Sequence, residues 1–339
     1  MQDTAPVRRA LKSMFIVALV VASVLVALEL HQELTPVPGS DEPVIVSVPP
    51  GATTRQIGLI LQEAGLVKHA WMFRLVVEMK GQDGKLRAGE YELRPGITMA
   101  QIVEKLLRGH VVTYPLTVPE GLTVEQIATL VEQRGLGSRE KFLEAVRNPE
   151  LVREFLPEDA ECREPLEGYL FPDTYLFPRH VTEEFMVRAM VSRFNQVFSE
   201  EWRRRATDLG FSAHQMATLA SIIEREAVVA DERPIISGVY HNRLKVGMRL
   251  QADPTVLYAL GRSSGAVRFR DLEVDSPYNT YRYAGLPPGP IANFGVAALR
   301  AALFPADVPY YYFVARNDGT HAFAVTYQQH LANIAKYQR

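Results

Sequence analysis

The sequence predicts an α+β protein: an N-terminal apolar segment, a small strand–helix module, and a larger mixed α/β domain with a helix-borne glutamate beside a loop-lined cleft. Three observations lead there. An apolar run from Met14 to Leu28, broken only by Ser23, follows Arg8, Arg9 and Lys12. The motif Gly-x-Thr-x-x-Gln-Ile occurs three times, each copy behind a stretch of β-formers. From Glu183 the pattern is amphipathic helix until Gly247, where Gly, Pro, Tyr and Asn become common and periodicity fades.

Composition narrows the class. A chain of 339 residues has room for two or more domains. Its 37 basic and 39 acidic residues give no basic excess, so nucleic acid is not the expected partner. Cys162 is the sole cysteine, which excludes an intramolecular disulfide and argues against a Cys-based zinc site. The histidines show neither His-x-x-x-His nor His-Glu-x-x-His spacing, so no metal is expected.

The elements follow in order. Residues 1–13 read as a cytoplasmic N-terminus and 14–32 as a single-pass transmembrane anchor. Positive charge before the run, with Glu29 and Glu33 after it, places the bulk of the chain outside. A cleaved signal peptide is the competing reading, but Val26 to Glu29 is a poor cleavage site. Residues 33–43 form a Pro-rich linker. The repeats start at Gly51, Gly96 and Gly121; in each, the threonine (Thr53, Thr98, Thr123) and the glutamine three residues on (Gln56, Gln101, Gln126) make a capping box that opens a helix. These helices end at Gly65, Gly109 and Gly135. The first two repeats form a module over 44–112, and the third opens a domain over 113–339. Further helices are expected over 139–155, 183–209 and 233–244, the last with Ile235, Ile236, Val239, Tyr240 and Leu244 on an apolar face. A closing strand pair spans 310–315 and 321–325 around Asn317-Asp318-Gly319.

The chemistry concentrates on Met216 to Ala230 (MATLASIIEREAVVA). At about 100° per residue, Met216, Leu219, Ala220, Ile223, Ala227 and Ala230 share one stripe, and Arg225 points to the opposite side, towards water. Glu224 and Glu226 flank that stripe on opposite sides. A carboxyl at the border of a buried face is partly desolvated and holds its proton to higher pH. Pairing of these acids with Arg225 or Arg233 is the plainer alternative, and the wheel does not choose between the two glutamates. Farther on, Gln251, Asp253, Tyr278, Asn279, Tyr281 and Arg282 suit a sugar-binding lining, where aromatics stack on pyranose faces and amides bond to hydroxyls. The same residues also close ordinary turns.

Longer stretches carry a resemblance. They are Glu167–Tyr175 (EGYLFPDTY), Leu219–Glu226 (LASIIERE), Asn242–Leu244 (NRL), Gly247–Gly261 (GMRLQADPTVLYALG), Ser276–Tyr281 (SPYNTY), Gly285–Asn293 (GLPPGPIAN) and Tyr310–Ala315 (YYYFVA). With them the chain resembles the YceG/MltG-like endolytic murein transglycosylases, membrane-anchored enzymes of the bacterial envelope. The resemblance implies that residues 44–112 are LysM-like and that Glu226 is the essential acid of the Glu-x-Glu pair. It implies endolytic cleavage of β-1,4 bonds between N-acetylmuramic acid and N-acetylglucosamine in peptidoglycan strands. The products would be 1,6-anhydro ends, formed without a cofactor at the outer side of the cytoplasmic membrane. Gln251, Asp253, Asn279 and Tyr281 are then expected to position substrate, together with Glu167 and Asn242, and Glu224, Arg243 and Tyr278 to support the site. Asp253 or Glu167 is available as a second carboxylate, which keeps hydrolysis by water as an alternative. A further alternative is a non-catalytic wall-binding scaffold that recruits peptidoglycan synthases. The chain departs from the family at Phe294, where proline is usual, and at Leu331, where asparagine is usual.

Overall fold

The computed structural model describes residues 14–17, 19–21, 23–24, 35–37, 42–157 and 162–338. Of the expected anchor over 14–32, residues 14–17, 19–21 and 23–24 are helical and the rest lies outside the described residues. Among the described residues no helix is long and apolar enough to cross a membrane. The chain divides into two units, residues 1–114 with 178–180, and residues 115–177 with 181–339.

The first unit folds from the first two repeats. Strand β1 (Val44–Val48) leads into α1 (Thr54–Glu63) and α2 (Ala70–Met79); β2 (Gly89–Leu93) leads into α3 (Met99–Arg108). β1 and β2 pair antiparallel, with Val46 opposite Tyr91 and Val44 opposite Leu93. Alternation sends Val46, Val48, Tyr91 and Leu93 inward, onto Ile57, Leu61, Phe73, Val77, Ile102 and Leu106. The capping boxes at Thr53 and Thr98 are both formed, each threonine side chain accepting from the glutamine N–H and each glutamine answering to the threonine N–H. Gly58 lets α1 and α2 cross closely, since a Cβ there would lie 2.8 Å from the Ala70 carbonyl oxygen. Helix α2 itself carries no cap signal, as His69 makes no side-chain cap bond, and it was not anticipated.

The second unit begins with the third repeat. β3 (Tyr114–Thr117) precedes α4 (Val124–Gln133), whose capping box at Thr123 is also formed, and α5 (Arg139–Val146). β4 (Thr174–Phe177) pairs with β3. Helices α6 (Glu183–Val197), α7 (Glu200–Asp208), α8 (Ala213–Glu226), α9 (Arg233–Lys245), α10 (Asp253–Ala259) and α11 (Val296–Leu303) follow. The hairpin β5 (Tyr312–Ala315) and β6 (His321–Ala324) and helix α12 (Tyr327–Tyr337) close the chain. The hairpin turns at Asn317 and Gly319, both at positive φ, as the Asn-Asp-Gly sequence requires.

Helix α8 is the spine of this unit. It starts earlier than its hydrophobic stripe, because Ser212 and Gln215 form a fourth capping box. It stops at Glu226, where Ala227 turns extended, and Ala230 is exposed. The one-stripe expectation is therefore corrected. His214, Met216 to Ile223 and Ala227 are all buried, so α8 is enclosed on nearly every side. Helix α11 packs along it, and its Ala298, Leu299 and Ala302 are fully buried. Arg225 is not directed into open water either; its guanidinium donates to the Gly121 carbonyl (3.1 Å) and to the Ser263 carbonyl. Phe294, at the departure from the family pattern, is buried edge-on to Phe194, with ring centroids 6.2 Å apart. Leu331 is 46% exposed on α12.

Candidate active site

The two glutamates at the end of α8 have separate surroundings. Glu224 Oε2 accepts the N–H of Gly295 (3.0 Å) at the start of α11, and its Oε1 lies 3.7 Å from Arg233 at the start of α9. It ties three helix ends together, and burial raises its pKa. This is the plain ion-pair role anticipated for a flank acid. Glu226, half-buried, receives one side-chain hydrogen bond, from the Tyr240 hydroxyl on α9 (3.1 Å). Burial, and then the negative charge of Asp253, push its pKa up to about 7, against the pull of the Tyr240 bond and the Arg243 charge. At neutral pH a large fraction of Glu226 is therefore protonated.

The chain brings Asp253, Tyr281 and Arg243 to that acid. Asp253 opens α10, and the Tyr281 hydroxyl donates to its Oδ1 (2.6 Å). Burial, then the Asp253 charge, and more weakly Glu226, raise the Tyr281 pKa, so both carboxylates act on one phenol. Arg243 is buried; its Nε donates to Tyr311 O (2.6 Å), its Nη1 to Leu250 O (2.5 Å), and it lies 5.5 Å over the Tyr312 ring. With Nε and Nη1 bonded to carbonyls, Arg243 acts as a fixed positive charge joining α9, the chain at the start of β5 and the loop before α10.

That loop is held in an uncommon conformation. Gln251 has φ +49 and an exposed side chain, and its N–H donates to Thr280 O (3.2 Å). Thr280 Oγ1 accepts from Ala252 N (3.0 Å) and meets Thr255 Oγ1 at 2.9 Å. These two buried threonines fix Asp253 at the helix start. Neither they nor Tyr240 was singled out from the sequence. Tyr240 offered one signal, a hydroxyl on an apolar helix face that must find a partner when buried.

Other expected substrate residues are placed elsewhere. Asn279 has no exposed surface; its amide donates to Leu272 O and Val274 O (both 2.8 Å), and its oxygen accepts from Tyr281 N (3.0 Å). It braces the loop that carries Tyr281 and offers nothing to a ligand. Asn242 donates to Val308 O (2.8 Å) and Tyr310 O (3.0 Å), fastening α9 to the chain before β5. Tyr278 is buried beside Tyr258, its hydroxyl accepting from Arg163 N (3.2 Å). Glu167 is also buried, accepting from Val124 N at the start of α4 (3.1 Å) and from Asn293 Nδ2 (3.1 Å). It makes no contact with Glu226, so of the two second-carboxylate candidates only Asp253 belongs to this cluster.

Comparison with known proteins places this arrangement. The model of the YceG-like family matches residues 46–336. The chain belongs to that family. Among its YceG-like relatives is the endolytic murein transglycosylase of Bacillus subtilis (strain 168), 35% identical over 306 residues, covering 87% of this chain and 84% of the relative. The enzyme of the same name from Streptococcus pneumoniae (strain D39 / NCTC 7466) is 30% identical over 322 residues, with 87% of this chain and 58% of that longer protein covered. The crystal structure of a YceG-like protein from Listeria monocytogenes, 36% identical, superposes with a TM-score of 0.61 over 86% of this chain and 99% of that one.

Proposed function

We propose that the protein is an endolytic murein transglycosylase that cleaves peptidoglycan glycan strands at the muramoyl–glucosaminyl bond. The observation that carries the reading is Glu226, an acid raised to about 7 with a single weak side-chain donor and the charge of Asp253 beside it. The names of its relatives supply the substrate class.

The chemistry follows from these groups. Protonated Glu226 donates to the glycosidic oxygen as the bond to C1 breaks, and the glucosaminyl residue leaves as an alcohol. The Glu226 carboxylate then takes the proton of the muramoyl 6-hydroxyl, whose oxygen bonds to C1 and closes the 1,6-anhydro ring. The nucleophile is already part of the substrate, so no second carboxylate is needed to activate water. Asp253 supplies negative potential for the positive charge that develops at C1. Tyr240 and Arg243 stabilise the carboxylate form, so the same group can give the proton and take one back. Gln251 and Tyr281 present polar and aromatic surface for positioning the sugar.

The proximity of Asp253 to Glu226 also favours a second reading, hydrolysis with Asp253 as nucleophile or water base. Digestion of uncrosslinked glycan strands in oxygen-18 water separates the two. Unlabelled anhydro ends support the lytic reaction; labelled reducing ends overturn it in favour of hydrolysis. Loss of both products in Glu226→Gln, with the fold intact, assigns the acid. A wall-binding scaffold would release no fragments from any preparation.

The organisation proposed around this reaction is a single-pass anchor over 14–32 with the N-terminus in the cytoplasm, a LysM-like module over 44–112 and a catalytic domain over 113–339. The charge asymmetry about the apolar run supports the orientation. Capture of synthases by the module is a separate matter that cross-linking in cells would test.

A further inference from the structure

The first unit has a surface that cleavage leaves unused. Helix α2 buries Ala70, Met72, Phe73 and Val77 but leaves Trp71, Leu75 and Met79 outside, at 56%, 37% and 80% exposure. Steps of four residues advance about 40° around a helix, so these three fall within an arc of about 80°, one stripe down one side. An exposed stripe of this kind, with tryptophan at one end, marks contact with something apolar.

The stretch of chain that carries it is basic. Lys68, Arg74, Lys80, Lys85 and Arg87 stand against Glu78 and Asp83 over residues 68–87. Glu78 pairs with Arg74 (2.6 Å) and Asp83 accepts from the Thr54 hydroxyl (2.5 Å), so five bases against two acids leave this stretch a net excess of three positive charges. The chain leading from the apolar segment also arrives here. Thr35 Oγ1 accepts from Lys68 Nζ (3.3 Å), and Val37 O accepts from Gly96 N (3.0 Å). Thr35 is thus held by Lys68, two residues before α2 begins, and residues 29–34 alone separate it from Leu28. Fully extended, that link reaches about 25 Å.

We propose that the Trp71–Leu75–Met79 stripe lies on the lipid surface of the membrane that residues 14–32 enter. Helix α2 would lie flat at the headgroup level, its apolar side about 5–10 Å deep and its basic flank against anionic lipid phosphates. The proposal rests on the anchor reading given above. It adds a second membrane contact, which fixes the orientation of the first unit on the bilayer.

Trp71 and Trp202 are the two tryptophans, so Trp202→Phe leaves Trp71 as the sole reporter. The full chain carrying that change is reconstituted in phosphatidylcholine–phosphatidylglycerol vesicles with acyl chains brominated at shallow or deep positions. Trp71 emission is expected to shift to the blue and to be quenched, more by the shallow bromines. Adding Leu75→Asp and Met79→Asp is expected to abolish that quenching while the chain still floats with the vesicles. Emission indifferent to bromine and open to aqueous iodide overturns the proposal, leaving the anchor intact. A blue shift produced by glycan strands in place of brominated lipid also overturns it, assigning the stripe to sugar. A chain that fails to float at all removes the anchor and this proposal with it.

Discussion

Two acids of the second unit, half-buried Glu226 at the end of α8 and buried Glu167 beside the start of α4, have much in common and do different work. Burial is the leading cause of a raised pKa in both, to about 7 for Glu226 and about 8 for Glu167. Glu167 is only 2% exposed, and its oxygens face the Val124 N–H and the Asn293 amide. Asn293 in turn accepts from Leu170 N (2.9 Å) and donates to Leu122 O (3.0 Å), so three separate stretches of chain are cross-braced. Glu226 has one phenol donor, a neighbouring carboxylate and remaining solvent access. A raised pKa therefore does not by itself mark the reacting acid. What distinguishes Glu226 is that it retains hydrogen-bonding capacity for a substrate.

The largest test of that contrast is activity. Glu226→Gln is expected to lower the rate of strand cleavage by about 1000-fold or more, since a positioned acid–base group contributes about 100- to 10,000-fold per step and Glu226 acts twice. Glu167→Gln keeps an acceptor for Val124 N and is expected to stay within a few-fold of the parent, measured on the same strands. A folded Glu167→Gln enzyme without activity would break the comparison.

The second test is stability. Asn293→Ala leaves the Leu170 N–H unpaired and removes a donor from Glu167, all in buried surroundings, and is expected to cost about 2–3 kcal/mol in denaturant titration. Tyr240→Phe removes one bond from a half-buried carboxyl and is expected to cost about 1 kcal/mol or less.

A smaller effect concerns the sign of the pH dependence. A carboxyl whose folded pKa is about 7, against a usual value of 4.5, binds its proton more tightly in the native state. Its contribution to stability is present below about 4.5 and is lost as pH rises through about 7. Glu226→Gln removes that loss, so the variant is expected to be more stable than the parent at pH 8, on the order of 1–3 kcal/mol. Parallel stability curves for the two proteins from pH 5 to 8 would contradict it.

Much of this architecture was legible in the chain because its signals are local. The three Thr-x-x-Gln boxes and their terminal glycines mark helix ends through bonds within one turn, and the Asn-Asp-Gly turn marks the hairpin in the same way. Ser212-x-x-Gln215 and Thr326-x-x-Gln329 carry the same local signal and form the same boxes. The sites that misled were decided by distant partners. Asn279 looked like a sugar ligand because a buried loop brace and a binding amide have the same composition. Glu167 gave no hint that Asn293 would be its partner, and Tyr240 read as core because Glu226 comes to it from another helix. The choice of Glu226 over Glu224 likewise depended on resemblance, since the difference between them is Gly295 and Arg233 on one side and Tyr240 on the other.

The most direct test of Glu226 as the proton carrier is the pH profile of kcat/KM on soluble glycan strands, compared across the parent, Asp253→Asn and Tyr240→Phe. The parent rate is expected to fall as pH rises through about 7. Removing the Asp253 charge moves that fall to lower pH, and removing the Tyr240 hydroxyl moves it to higher pH. A profile that stays flat across neutrality, or a falling limb that neither substitution moves, would contradict the assignment of Glu226.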